Sequence, residues 1–217
     1  MIATKYFFNT KKQIMNKFKS LALMAAIALF SNASFAQMDK METKEKNSKM
    51  KMKMKENTVM VGGAAMYPSK NIVENAANSK DHTTLVAAVK AAGLVETLQS
   101  AGPFTVFAPT NEAFNLLPAG TVDNLVKPES KKTLTTILTY HVVAGKLNAK
   151  DIAQLIKAGN GTATLKTVAG GNLYATMKGN KLMLKDENGG MATVTIKDVD
   201  QSNGVIHVID HVLIPKM

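Results

Sequence analysis

The spacing of hydrophobic residues along the chain changes at Gly159. Before this residue, apolar side chains recur three or four positions apart, as on one face of a helix. After it, apolar and polar residues alternate in runs separated by glycine and asparagine, which is typical of strands joined by tight turns. The alternating runs are Thr162–Val168, Leu173–Met177, Lys181–Leu184, Ala192–Val199 and Val205–Ile214. The pattern predicts a helical first half followed by an antiparallel meander.

The helical half is interrupted by one predicted strand, Phe104–Ala108, which follows a Gly-Pro break. Helices are predicted to begin near Asn71, at a cap formed by Asp81 or Thr83, after Pro109, at Thr121, at Ser130 and at Ala149. Helices followed by an antiparallel meander indicate a single α+β domain. Leu134, Ile137, Val208 and Phe107 are expected in its core.

Residues 1–36 have the pattern of an export signal. Five lysines precede the apolar run Leu21–Phe30, which is too short to span a bilayer. Ser34-Phe35-Ala36 places small residues at the −3 and −1 positions of a cleavage site and predicts a mature start at Gln37. Met15 opens a shorter segment of the same kind and is an alternative start. The protein is therefore expected to be exported, to the periplasm, the cell surface or the extracellular space.

The segment 37–66 that follows is rich in lysine and methionine. Gln37–Val59 contains no Leu, Ile or aromatic residue, so it cannot bury enough apolar surface to offset the entropy of ordering. We expect residues 37–66 to form a flexible tether that ends around Val61–Ala65. The folded domain is then predicted to occupy residues 67–217.

Composition narrows the classes of function. The chain has no cysteine, which excludes disulfides, thiolate metal sites and a cysteine nucleophile. Its formal net charge is +11, and removal of the five signal lysines leaves 22 lysines against 16 acidic residues, a net charge of +6. No basic residue is an arginine, and arginine is the side chain that grips phosphate and guanine with two parallel bonds. The charge therefore favours weak attraction to acidic polysaccharide or anionic lipid over specific recognition of nucleic acid.

Three short segments join a strand-forming run to a Pro, Asn or Gly stop. They are Thr105–Phe114, Thr139–Val143 and Asn203–Pro215. In this order and spacing they closely resemble the two blocks and the central Tyr-His element of the fasciclin-like domain family, over about residues 69–216. The resemblance implies a wedge of small, mainly antiparallel sheets, with the helices of the N-terminal half packed against it.

The resemblance also implies a non-catalytic adhesion module and marks four candidate binding residues. The Tyr-His element of the family has been tied to adhesion, which assigns a role to Tyr140 and His141. Animal relatives carry an Asp-Ile pair implicated in integrin binding where this chain has Asp198 and Val199. We expect Asp198 to be exposed at a strand edge, and the partner to be an envelope or matrix protein or an acidic polysaccharide. The protein is expected to be a monomer without a membrane span.

Each candidate residue also has a structural explanation. No Ser, carboxylate or second His lies close in sequence to complete a catalytic set with Tyr140 and His141. The structural explanation is a buried pair of rings whose polar atoms bond to the backbone. Thr110 or Asn111 can cap the helix that follows Pro109. His207 and His211 lie on one face if 205–214 is a continuous strand, but about 13 Å apart, too far to chelate one ion.

A second function remains open. Met50, Met52 and Met54 alternate with lysine, and thioethers can hold Cu(I) in an oxidising compartment. The alternative to adhesion is therefore a periplasmic copper-binding or envelope-stress protein that uses this tether. The neighbouring lysines would repel a cation, which favours a plain tether. No nucleophile–base pair, paired carboxylates, phosphate loop or zinc motif appears, so neither an enzyme nor a cofactor is expected.

Overall fold

The computed structural model describes residues 58–216, which form an α+β fold as the sequence predicted. Its α-helices are α1 (Ile72–Ala76), α2 (Thr83–Ala92), α3 (Val95–Gln99), α4 (Asn111–Asn115), α5 (Thr121–Leu125), α6 (Lys131–Tyr140) and α7 (Ala149–Ala158). Its strands are β1 (Val59–Val61), β2 (Ala64–Met66), β3 (Phe104–Pro109), β4 (Val142–Ala144), β5 (Thr162–Lys166), β6 (Asn172–Lys178), β7 (Lys181–Lys185), β8 (Met191–Gln201) and β9 (Gly204–Ile209). Short 3₁₀ turns precede α2 and α6.

The N-terminal boundary of the domain lies earlier than the sequence predicted. β1 and β2 pair as an antiparallel hairpin, and Gly62 and Gly63 at its tip both have positive φ. Val61 and Met66 are buried in the hydrophobic core. The prediction that residues 59–66 belong to the tether is therefore wrong, because a Gly-Gly pair between apolar triplets is a hairpin signal. Residues 37–57, the rest of the predicted tether, and the signal segment 1–36 lie outside the described residues.

Seven strands form one sheet, in the order β4-β3-β9-β8-β7-β6-β5. Neighbouring strands are antiparallel except β3 and β9, which are parallel. The antiparallel meander is thus present, but in a single larger sheet rather than in several small ones. The two outermost strands of this sheet meet, because Val143 bridges to Thr167 and the Val168 N–H donates to the Val142 carbonyl at 2.8 Å.

The centre of the sheet is buried on both faces. Successive residues of a strand point to opposite faces, so Val106 and Ala108 of β3 join one hydrophobic cluster and Phe107 joins another. The first cluster lies under α1, α2, α3 and α6, and the second lies between α7 and the β5–β8 meander. The predicted core residues are all buried: Leu134, Ile137, Val208 and Phe107.

The segment after β3 caps two helices. The Thr110 hydroxyl accepts from the Ala113 N–H at 3.2 Å and caps α4, as predicted. Asn111 instead caps α2, since its Oδ1 accepts from the Thr84 N–H at 3.0 Å. Its amide donates to the Lys80 carbonyl and to the Thr83 hydroxyl, both at 2.9 Å. The predicted cap of α2 by Asp81 or Thr83 is wrong, because the acceptor comes from a distant turn.

Candidate functional site

The Tyr-His element lies where α6 ends and the chain turns into β4. Tyr140 is the last residue of α6, and His141 follows it as the C-cap residue. Both side chains are buried, with 0% and 3% of their surface exposed. Their rings meet edge to face, with centroids 6.5 Å apart. The buried pair that the sequence offered as a structural explanation is therefore what the fold contains.

His141 makes a hydrogen bond with each of its ring nitrogens. Nδ1 lies 2.8 Å from the Ile137 carbonyl, and a carbonyl only accepts, so this nitrogen carries the hydrogen. Nε2 accepts from the backbone N–H of Leu213 at 3.0 Å. Burial lowers the pKa of His141 to about 4, which keeps the ring neutral at physiological pH. The imidazole has no lone pair left for a metal or a substrate proton.

Tyr140 is held in the same way. Its hydroxyl donates to the Asn172 carbonyl at 2.6 Å and accepts from the Glu187 N–H at 3.2 Å. Burial raises the pKa of this phenol to about 12. Gly171 lies against the ring, and a Cβ there would come within 2.8 Å of Cε2. The tyrosine thus joins α6 to the two turns that flank β6 and β7.

The buried carboxylate of Asp186 completes this region. Oδ1 accepts from the N–H groups of Asn188 and Gly190 at 2.9 and 2.7 Å, and Oδ2 accepts from the Ile214 N–H at 2.9 Å. The Asn188 amide donates to the Ile214 carbonyl at 2.8 Å. Together with the bond from Leu213 to His141, these contacts fasten the last residues of the domain. The Tyr-His element therefore acts as part of the scaffold.

The Asp198-Val199 pair occupies an irregular part of β8, where its register against β9 shifts twice. Asp198 has φ of +58°, in the left-handed region that aspartate tolerates better than most residues. Its Oδ1 accepts from the Ala149 N–H at 2.6 Å, at the N-terminus of α7, where a negative charge is favourable. Asp198 is half-buried and Val199 is 1% exposed. The expectation that this pair forms an exposed strand edge is wrong, because Val199 is buried and the half-buried Asp198 carboxylate binds the N-terminus of α7.

His207 anchors the loop that precedes α7. Its Nε2 donates to the Leu147 carbonyl at 2.9 Å, and its Nδ1 accepts from the Asp198 N–H at 3.3 Å. The ring is buried and stacks on Phe107 with a centroid distance of 5.6 Å. Burial lowers the pKa of His207. Both ring nitrogens of His207 therefore form hydrogen bonds with backbone atoms.

The last predicted strand is shorter than expected. β9 ends at Ile209, so His211 does not share a strand face with His207. His211 is exposed, and its Nδ1 lies 2.9 Å from Oδ1 of Asp210. Within residues 58–216, no cluster of three or more His, Asp or Glu side chains is arranged to hold a metal ion. Met50, Met52 and Met54 lie outside the described residues.

A surface groove lies beside Asp198, between the N-terminal half of α7 and the β6–β7 hairpin. It has a volume of about 740 Å³ and is called the α7 groove below. Lys150, Lys181 and Lys197 line it, together with Asp198 and Asp210. The three lysines could not be recognised as a site in the sequence, because they are 16 to 47 positions apart and resemble the other surface lysines. Their spacing carries no periodic signal, and only the packing of α7 on the sheet brings them together.

The chain belongs to the fasciclin domain family, whose model matches residues 80–215. Protein sll1483 of Synechocystis sp. is 48% identical over 166 residues, which are 76% of this chain and 85% of that protein. Immunogenic protein MPB70 of Mycobacterium bovis is 39% identical over 145 residues, which are 64% of this chain and 66% of that protein. The family resemblance drawn from the three motifs is confirmed.

The fold agrees with this assignment. A solved FAS1 domain pair from the insect cell adhesion molecule fasciclin I superposes with a TM-score of 0.53 at 18% identity. The match covers 72% of this chain and 57% of the insect chain. Among the described helices, none has both the length and the hydrophobicity required to cross a bilayer.

Proposed function

We propose that this protein is an exported adhesion or matrix-interaction module without catalytic activity. Membership of the fasciclin domain family supports this, since the superposed insect protein is a cell adhesion molecule. The chemistry of the motifs points the same way. Three of the acid–base side chains in them, Tyr140, His141 and His207, are buried and bonded to backbone atoms, so none of these three is placed to act on a substrate.

The proposed partner is an envelope or matrix protein or an acidic polysaccharide. The predicted mature chain has a net charge of +6 carried by lysine alone, which attracts anionic partners over several ångströms without the planar grip that nucleic-acid recognition uses. Export rests on the signal pattern of residues 1–36. We propose the periplasm, the cell surface or the extracellular space as the site of action, and a monomer as the active form.

The proposed contact surface differs from the one expected from the motifs. Tyr140, His141 and Val199 cannot touch a partner through their side chains in this conformation, because less than 4% of each is exposed. Asp198 borders the α7 groove and remains partly accessible. We therefore propose that adhesion uses the surface around Asp198 and α7, while Tyr140 and His141 support the scaffold.

Attachment of the mature protein to its own cell envelope tests the proposal. Labelled protein comprising residues 37–217 is incubated with envelope and exopolysaccharide fractions of the producing organism, and the retained protein is measured. An unrelated folded protein of similar size and net charge is the matched control. We expect specific, saturable retention above this control. Equal retention of the two proteins would show that charge alone holds the module and would overturn the adhesion proposal.

A further inference from the structure

Three lysines converge on the α7 groove from three different elements. Lys150 comes from the first turn of α7, Lys181 begins β7, and Lys197 lies in β8 next to Asp198. All three are exposed. Within residues 58–216 none of them forms an ion pair, whereas Lys146 nearby pairs with Asp200 at 2.7 Å. The groove therefore presents three exposed ammonium groups that no acidic side chain within residues 58–216 neutralises.

The groove also offers acceptors and an apolar floor. Asp198 and Asp210 both line it. Within residues 58–216, the Ala149 N–H bonds to Oδ1 of Asp198, and the Thr193 N–H and the His211 ring bond to Oδ1 of Asp210. A carboxylate can accept more hydrogen bonds than these, so both side chains can also accept from a ligand. Ala153 and Met177 contribute apolar surface, and 40% of Met177 is exposed. The volume lies within the range of protein pockets that hold small molecules.

This combination distinguishes among anionic ligands. A ligand that carried only negative charge would be repelled by Asp198 and Asp210, which offset two of the three lysines. A chain of acidic sugars has matching groups for every part of the groove. Its carboxylates can pair with lysine, its hydroxyls can donate to the aspartates, and its C–H faces can lie on the apolar floor.

We propose that the α7 groove binds acidic polysaccharide, with Lys150, Lys181 and Lys197 pairing with uronate carboxylates. Asp198 and Asp210 accept hydrogen bonds from sugar hydroxyls. The inference rests on the proposed adhesion function and names the class of ligand and the site. It assigns the adhesive contact to side chains outside the three family motifs, apart from Asp210.

Binding of tetragalacturonate to the mature protein, measured by isothermal titration calorimetry, tests the groove. The variant Lys150→Gln/Lys181→Gln/Lys197→Gln should bind about tenfold more weakly or worse, since it loses three charged contacts. The matched control Lys127→Gln/Lys132→Gln/Lys166→Gln removes the same charge from exposed lysines outside the groove. It should change affinity less than about threefold, through long-range attraction alone. Equal losses in the two variants would overturn the site.

Two further measurements separate sugar recognition from charge. Met177→Ala keeps every charge and should still weaken tetragalacturonate binding several-fold, because it removes part of the apolar floor. A tetraglutamate peptide carries a similar charge without the sugar hydroxyls and should bind more weakly than tetragalacturonate. Equal affinity for the peptide, or an unchanged affinity of Met177→Ala, would contradict recognition of an acidic sugar.

The envelope attachment assay distinguishes failure of this inference from failure of the proposed function. If the wild-type protein attaches specifically and the groove variant attaches equally well, adhesion stands and the α7 groove is not its site. A protein that binds tetragalacturonate but shows no specific attachment would support the groove and overturn the adhesion function.

Discussion

The Nε2 atom of His141 accepts a hydrogen bond of 3.0 Å from the backbone N–H of Leu213, across 72 positions of sequence. This contact joins the Tyr-His element to the last of the three family motifs. Both partners are buried, so neither can exchange the bond for one to water. The need to make two hydrogen bonds inside the core explains why residue 141 is a histidine. It must accept from Leu213 on one side and donate to Ile137 on the other, and a neutral imidazole does both.

Protonation of His141 should destabilise the domain at low pH. The ordinary histidine pKa of 6.5 applies to the unfolded chain, while burial lowers the folded pKa to about 4. Between these values the unfolded state binds the proton more readily, so the stabilising contribution is complete above pH 6.5. It is lost as the pH falls toward 4. This difference between the folded and unfolded pKa corresponds to a contribution of about 3 kcal/mol to the free energy of unfolding.

Urea denaturation of the wild type and His141→Gln at pH 7.5 and 4.5 measures this effect. The variant should be less stable at pH 7.5 but should lose about 2–3 kcal/mol less than the wild type on acidification. The other ionisable groups are the same in both proteins, so their contributions cancel in the comparison. The same pH dependence in both proteins would show that His141 does not titrate in this window.

Asp198 should contribute to the stability of the domain, although the sequence predicted an exposed side chain. Asp198→Ala removes the acceptor at the N-terminus of α7 and places alanine at a φ of +58°. We expect a cost of about 1–3 kcal/mol in the free energy of unfolding. Asp198→Asn is the matched control, because asparagine keeps an acceptor and tolerates the left-handed region, and it should cost less than about 1 kcal/mol. Equal stability of the wild type and the alanine variant would refute this role.

The β1–β2 hairpin should stabilise the domain through its buried side chains, although the sequence pattern predicted that these residues belong to the tether. Met66 is 3% exposed, whereas Met60 in the same hairpin is 60% exposed. Met66→Ala is therefore expected to cost about 2–5 kcal/mol through lost burial and a cavity. Met60→Ala makes the same chemical change and should stay within about 0.5 kcal/mol of the wild type. Thermal and chemical unfolding of both variants provides the comparison, and similar losses would contradict the buried hairpin.

The methionine-rich segment tests the alternative function. If it is a plain tether, deletion of residues 37–57 should leave envelope attachment unchanged, since β1 and every later element stay in place. Titration with Cu(I) should then show no binding tighter than micromolar. Sub-micromolar binding that disappears in the Met50→Ala/Met52→Ala/Met54→Ala variant would favour the copper-binding function over adhesion.

Much of the domain could be predicted because its signals are local. The change of hydrophobic spacing at Gly159 marks where helices give way to the meander, since both periods follow from backbone geometry within a few residues. Thr110 caps the helix directly after it, and neighbouring residues were enough to narrow the cap to Thr110 or Asn111. The three motifs identified the family because each is a short, continuous run of residues.

What the sequence by itself determined is thus the family, the α+β class, the order of most elements and the principal core residues. The tertiary structure decided what depends on distant partners. Asn111 caps a helix that begins 28 residues earlier, and Asp198 turns inward to meet Ala149, 49 residues away. Neither contact could be predicted from flanking residues, because each depends on which distant segment the fold brings within hydrogen-bond distance. The α7 groove has the same origin: its lysines become a site only when α7 packs beside the sheet.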